Sequence, residues 1–238
     1  MAAVTGIAIL MIATIERAAT STVPDFSGYP EGLERKMAFF EFFQPLIEEH
    51  NQSIREVRAQ LKGWYQTRDN LSWYADTHVR KIASEYGISP FDVNNESHWR
   101  MLLRRVDIVP TSLALAQAAM ESAWGTSRFA RSVHNYFGQW CFSKDCGVVP
   151  VERDPGANHE VRGFTSPEES VISYAHNLNS HRAYKPFREI RAQLRSEGKP
   201  VTGIVLAGGL THYSERGQDY VKELRSFIRQ NRLSQYDF

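Results

Sequence analysis

The chain has 238 residues, with 28 Lys and Arg against 27 Asp and Glu, giving a net charge of +1. That length accommodates one sizeable core, or a core domain with a helical extension. The balanced charge excludes a global field that would steer the protein to nucleic acid or to an anionic membrane surface.

In chain order, Ala2 to Ile15 is a mostly apolar run, shorter than the ~20 residues a transmembrane helix needs. It reads as the core of an export signal or an N-terminal anchor, with a buried helix as the alternative. No Lys or Arg precedes it, and Glu16-Arg17 follow it. The Pro-, Gly- and Ser-rich segment Ser21 to Gly32 predicts a linker or a wrapped extended arm. From Leu33 to about Arg68, Met37, Phe40, Phe43, Ile47, Ile54, Val57 and Leu61 recur near helical spacing, and Pro45 is expected to kink or interrupt the helix. Two further helices are predicted, Leu71 to Tyr86 ending at Gly87 and Glu96 to Val106. Acids and bases alternate along these faces, which assigns them to packing.

Next comes the stretch PTSLALAQAAMESAWGTSRFARSVHNYFG, Pro110 to Gly138. Leu113, Ala116, Met120 and Trp124 mark one apolar helix face, Pro110-Thr111-Ser112 supply a start, and Gly125 a left-handed stop. Cys141 and Cys146 follow in the loop-like CFSKDC; they are either a disulfide closing a small loop or two free thiols. Val148–Arg153 and Glu160–Phe164 predict a hairpin around the turn residues 154–158. Ser166-Pro167-Glu168-Glu169 opens a helix to about Arg182. Another helix is expected from Lys185 to Glu197, and a closing one carries Tyr220, Val221, Leu224 and Ile228. The fold class is therefore α+β, mostly helical with a small β-hairpin lobe.

Chemistry concentrates at Glu121, in the last turn of its helix. The dipole there disfavours negative charge, and neighbouring Ala, Met and Trp side chains withdraw water, so both effects hold the proton on the carboxyl. A general acid needs that property near neutral pH. Trp124, Phe129, Tyr136, Phe137 and Trp140 follow closely enough to line one groove, as sugar rings require. Glycosidic cleavage suits such a groove. For the second carboxylate the candidates are Glu152, Glu160 and Asp154, of which Glu152 is chosen. The histidines show no ligand pattern: His176 and His181 fall on different helix faces, and His134, His159 and His212 lie in loops. Neither metal nor cofactor is expected, and His212 is kept as a possible substrate contact.

The segment LAQAAMESAWGTSRFA followed by NYFGQWCF resembles the Bax-type branch of the flagellar-muramidase-like endo-β-N-acetylglucosaminidases, glycoside hydrolase family 73. The pattern A-x-x-E-S-x-W-G-x-S then N-x-F-G is matched at Glu121, Ser122, Trp124, Gly125, Ser127, Asn135, Phe137 and Gly138. The resemblance spans about Val109 to Leu233, and the preceding helical part is similar to the Bax-type extension. It implies a lysozyme-like fold and cleavage of β-1,4 links in peptidoglycan after N-acetylglucosamine. Glu121 would then be the proton donor, and THYSERGQDY would supply Tyr213 as a catalytic tyrosine and Tyr220 as the second one. On this reading Glu121, Glu152 and Tyr213 are catalytic, and Ser122, Trp124, Asn135, Tyr136, Phe137, Trp140 and Tyr220 bind substrate. The expected units are 1–20 as the apolar segment, 21–108 as the helical extension and 109–238 as the glucosaminidase domain, in the bacterial cell envelope. A lytic transglycosylase and a non-catalytic wall-binding or scaffold protein are the alternative readings.

Overall fold

One long helix, α1 (Leu33–Gln66), threads through both hydrophobic cores of the computed structural model, which describes residues 22–150, 156 and 159–237. The export or anchoring segment lies outside those residues. Among the described residues, no helix is long and apolar enough to cross a membrane. The helix runs through Pro45 without the expected interruption. Pro45 removes the amide that would bond the carbonyl of Glu41, but Glu41 is exposed and water can satisfy that oxygen, while Phe39, Phe43 and Ile47 stay packed on the inner face.

The first half of α1 joins the larger core and the second half the smaller. In the smaller core, Ile54 and Leu61 meet Val79 and Ala83 of α2 (Trp73–Glu85) and Trp99 and Leu102 of α3 (Glu96–Arg105). Both helices begin on side-chain caps, Ser72 accepting from the Ala75 amide and Asn95 from the Ser97 amide. The larger core is built around α4 (Thr111–Glu121), with α6 (Pro167–Ser180), α7 (Lys185–Ser196), α8 (Gly203–Leu206) and α9 (Gln218–Gln230) about it. Residues of α1 thus belong to both cores, Phe39, Phe43 and Ile47 to the larger and Ile54 and Leu61 to the smaller.

The periodicity predicts one buried face for α4, whereas every residue from Thr111 to Ala119 is buried. A helix apolar all round is a core helix. Its N-terminus has no local side-chain cap; Asp237 at the far end of the chain accepts from the Ser112 amide and hydroxyl at 3.0 and 2.7 Å, and from the Gly203 amide at 2.9 Å. The arm before α1 is wrapped: the Phe26 ring is buried against Phe39, Phe42 and Phe43.

The β region is a three-stranded antiparallel sheet and not the expected two-stranded hairpin. Its order is β1 (Trp140–Cys141), β3 (Glu160–Arg162), β2 (Gly147–Val148), with Trp140 opposite Val161 and Gly147 opposite Arg162. A two-residue strand is too short to show alternation in sequence, which is why β1 read as loop. Cys141 and Cys146 form a disulfide across the two edges of this sheet.

Candidate active site at the end of the central helix

Glu121 is the last residue of α4. The chain then turns through three consecutive left-handed residues, Ala123, Trp124 and Gly125, at φ 50°, 59° and 75°. Side chains at the first two cost about 1–2 kcal/mol each in that conformation, so the surroundings must enforce it. Ser122 does so from inside: its hydroxyl donates to the Ala118 carbonyl at 2.6 Å and accepts from the Gly125 amide at 2.8 Å. Trp124 does so from outside, packed against Phe39 and Phe40 of α1 and Phe227 of α9. Gly125 has no alternative, since a Cβ there would lie 2.3 Å from the Phe26 ring.

This turn fixes Glu121 beneath a cluster of tyrosines. Its Oε1 accepts from the Tyr220 hydroxyl at 2.9 Å; that hydroxyl accepts from Nε2 of Gln117 at 2.9 Å; and Oε1 of Gln117 accepts from the Tyr174 hydroxyl at 2.7 Å. Gln117 and Tyr174 are buried, so the chain of bonds Tyr174, Gln117, Tyr220, Glu121 is directional, with each donor pointing toward the carboxyl. Gln117 lies one turn before Glu121 on the same helix face. Tyr213 stacks on Tyr220 at 5.5 Å and donates its hydroxyl to the Phe137 carbonyl at 2.8 Å. The tyrosine that touches the acid is therefore Tyr220, and Tyr213 braces it.

The carboxyl of Glu121 titrates above the ordinary glutamate range. Burial is the main cause and the negative charge of Glu223 adds to it, while the Tyr220 hydrogen bond and Arg216 oppose it. Among the described residues no donor reaches Oε2. That oxygen faces the exposed Gly138, where an added Cβ would lie 3.5 Å away. Gly138 holds φ +63°, a conformation that favours its lack of a side chain. The geometry presents one oxygen tethered to Tyr220 and one without a donor beside an exposed glycine, an arrangement that suits a proton donor.

Burial divides the residues expected to bind substrate. Ser122, Asn135, Tyr136 and Phe137 are enclosed and build the wall rather than present a surface. Asn135 bonds the carbonyls of Gln139 and Arg162 and the Gln139 amide, which ties the loop after α5 (Arg128–Val133) to the sheet. Phe137 stacks on Tyr174 at 4.0 Å, and Tyr136 packs on Phe43. Trp124 is taken up by packing, as above. Trp140 is 57% exposed and stacks on His159 at 4.3 Å, and His212 is exposed beside Tyr213. The sequence reading missed Gln117 and Tyr174 because neither carries a charge; the available signal was a polar residue one turn before the acid on an otherwise apolar helix.

Of the candidates for a second carboxylate, Glu152 and Asp154 lie outside the described residues. Glu160 is buried, and its two oxygens accept from the amides of Asp145 and Gly147 at 3.2 and 2.9 Å. It staples the disulfide loop to the sheet and is not available as a base. Cys141, Cys146 and Glu160 come within metal-ligand distance of one another, but the sulfurs are bonded to each other and the carboxylate to amides, so the grouping does not suit an ion.

The glucosaminidase family model, described as mannosyl-glycoprotein endo-beta-N-acetylglucosaminidase, matches residues 96–233. "Protein bax" of Escherichia coli strain K12 is 36% identical over 214 residues, which cover 90% of this chain and 76% of that protein. No solved structure matches the chain. With its acid at the end of a core helix, a small antiparallel sheet beside it and these relationships, the chain belongs to the glucosaminidase family as a Bax-type member.

Proposed function

We propose that the protein is a glycoside hydrolase that cleaves β-1,4 links of peptidoglycan after N-acetylglucosamine, with Glu121 as general acid. One observation carries this reading: a half-buried carboxyl whose proton desolvation holds more tightly than usual, with Oε1 bonded to Tyr220 and Oε2 next to the exposed Gly138. In the reaction, Oε2 gives its proton to the glycosidic oxygen as the bond to the sugar carbon breaks, and the resulting carboxylate later recovers a proton from the attacking water. Tyr220 steadies that transient negative charge through its hydroxyl. Glu152 remains our choice for the group across the groove. The Cys141–Cys146 disulfide supports an oxidising compartment, and with it placement in the cell envelope.

A cell-wall zymogram of the wild type beside Glu121→Gln tests the assignment. Clearing by the wild type and none by the variant is expected, and equal clearing by both removes Glu121 from the mechanism. Product analysis reads the reaction type: reducing N-acetylglucosamine ends are expected, whereas anhydro-muramic ends would make the protein a lytic transglycosylase. An absence of clearing by either protein would favour a wall-binding scaffold.

A further inference from the structure

Beyond Gly138, between the sheet and α6, lies a groove of about 650 Å³ with an unusual third wall. One side is the sheet, with Gln139, Trp140 and Arg162; the second is the outer face of α6 and the turn after it, through His176 and Arg182. The third is the C-terminal end of α2, from the helical extension that precedes the family match. His176 fixes that wall to α6, with Nε2 2.9 Å from the Glu85 carbonyl and its ring 5.1 Å from Tyr86. Glu121 does not itself line the groove; the link to the acid is Gln139, which lines it and follows directly on the Gly138 that borders Oε2.

The charge of the lining is one-sided. Arg105, Arg162 and Arg182 face one acid, Glu85. Arg105 is committed to the Tyr86 carbonyl, whereas Arg162 and Arg182 form no ion pair among the described residues. Arg162 is held over the Phe164 ring at 5.3 Å, which orients its planar fork. A concave site lined by unpaired guanidinium groups concentrates anions and matches carboxylates in particular. The exposed Trp140 at the lip offers a flat apolar face of the kind that sugar rings lie against.

We propose that this groove receives the stem peptide of the glycan strand, with Arg162 and Arg182 binding its free carboxylates and Trp140 the adjoining sugar. The inference rests on the peptidoglycan reading above and goes beyond it, since it makes the helical extension part of the substrate site and predicts a preference for peptide-bearing over bare glycan. Removing the stem peptide leaves a lactyl carboxylate on each muramic unit; once that group is capped as a neutral amide, the bare polymer carries no anion and gains nothing from the arginines.

The test separates binding from cleavage. Glu121→Gln protein is titrated by calorimetry with soluble glycan fragments of equal length, one set bearing stem peptides and one set stripped by an amidase and then capped at the exposed lactyl carboxylates as neutral amides. Peptide-bearing fragments are expected to bind at least about tenfold more tightly, with a preference that shrinks between about 0.05 and 0.5 M salt. Adding Arg162→Gln and Arg182→Gln should bring the two affinities together. Equal affinity before those substitutions, a preference that survives them, or binding of neither fragment overturns the assignment. If the double arginine variant does not fold, the salt dependence of the unsubstituted groove still decides. The hydrolase reading fails separately, by absence of wild-type clearing in the zymogram.

Discussion

The two ends of α4 each withdraw an acid from water, and the partners supplied at each end differ. At the C-terminal end, Glu121 meets the neutral hydroxyl of Tyr220. Just before the N-terminal end, Asp107 is buried among three guanidinium groups, with Arg195 at 2.8 Å, Arg58 at 3.5 Å and Arg191 at 3.8 Å. Burial alone would raise both acids. At Asp107 the combined pull of Arg191, Arg195 and Arg58 outweighs it and holds the carboxyl below its ordinary range; at Glu121 nothing of that strength is present, and the carboxyl stays high. The two ends thus differ in sign: cations lower the carboxyl just before the helix, and burial raises the one at its end. Neutral donors leave an acid able to exchange its proton, whereas cations commit it to charge.

The contrast can be broken most severely at Glu121. Glu121→Gln keeps the shape and removes the proton, and glycan cleavage followed by reducing-end release is expected to fall about 10²–10⁴-fold. In stability the same variant should do the opposite. A carboxyl raised in the fold contributes stability below its unfolded value and loses it as pH rises through the folded value. Glu121→Gln is therefore expected to melt at or above the wild type at pH 8, with the advantage vanishing toward pH 4.

At the other end the signs reverse. Asp107→Asn leaves three arginines facing a neutral amide and should cost about 3–5 kcal/mol in denaturant unfolding at pH 7. A carboxyl lowered in the fold contributes stability above its ordinary value and loses it as pH falls through the folded value. The deficit of Asp107→Asn should accordingly shrink in acid, and a constant deficit from pH 7 to pH 3 would mean that packing, not charge, sets the cost.

Two smaller changes sharpen the neutral side. Gln117→Leu strands the Tyr174 hydroxyl and removes the donor to the Tyr220 hydroxyl, which keeps its bond to Glu121, and is expected to cost about 1–3 kcal/mol. The conservative variant Gln117→Glu places a charge in the same buried space and should be worse, which separates bonding from volume. Tyr220→Phe removes the bond that lowers Glu121, so the basic limb of the pH–rate profile should move to higher pH, with a change of less than about tenfold in the plateau. An unmoved limb would show that Tyr220 does not govern the acid.

Helix starts and stops were largely legible in the sequence, because they are set within a few residues. Ser166 accepts from the Glu169 amide as the S-P-E-E start implies, and Gly198 takes the left-handed φ that ends α7. Glu121 at the end of an apolar helix was legible for the same reason. Burial of the loop residues was not legible: the side chains of Asn135, Tyr136 and Phe137 are enclosed, and proximity in sequence cannot distinguish the inward face of a loop from the outward one. Trp124 was read as the last residue of a helix face, but it sits in a left-handed turn, a conformation that no local preference of Ala or Trp favours.

By itself, then, the sequence determined which segments are helical, where the acid sits on its helix and which family the pattern resembles, since caps, periodicity and motif spacing are local along the chain. Only the tertiary structure decided what surrounds the acid. Tyr220 reaches Glu121 across 99 residues and Gln117 across 103; Arg195 reaches Asp107 across 88; and Asp237 closes the start of α4 across 125. The two carboxyls have intrinsically similar acidity, and what separates them is the dielectric and the charge brought to each by distant segments. Those appear only when the helices pack.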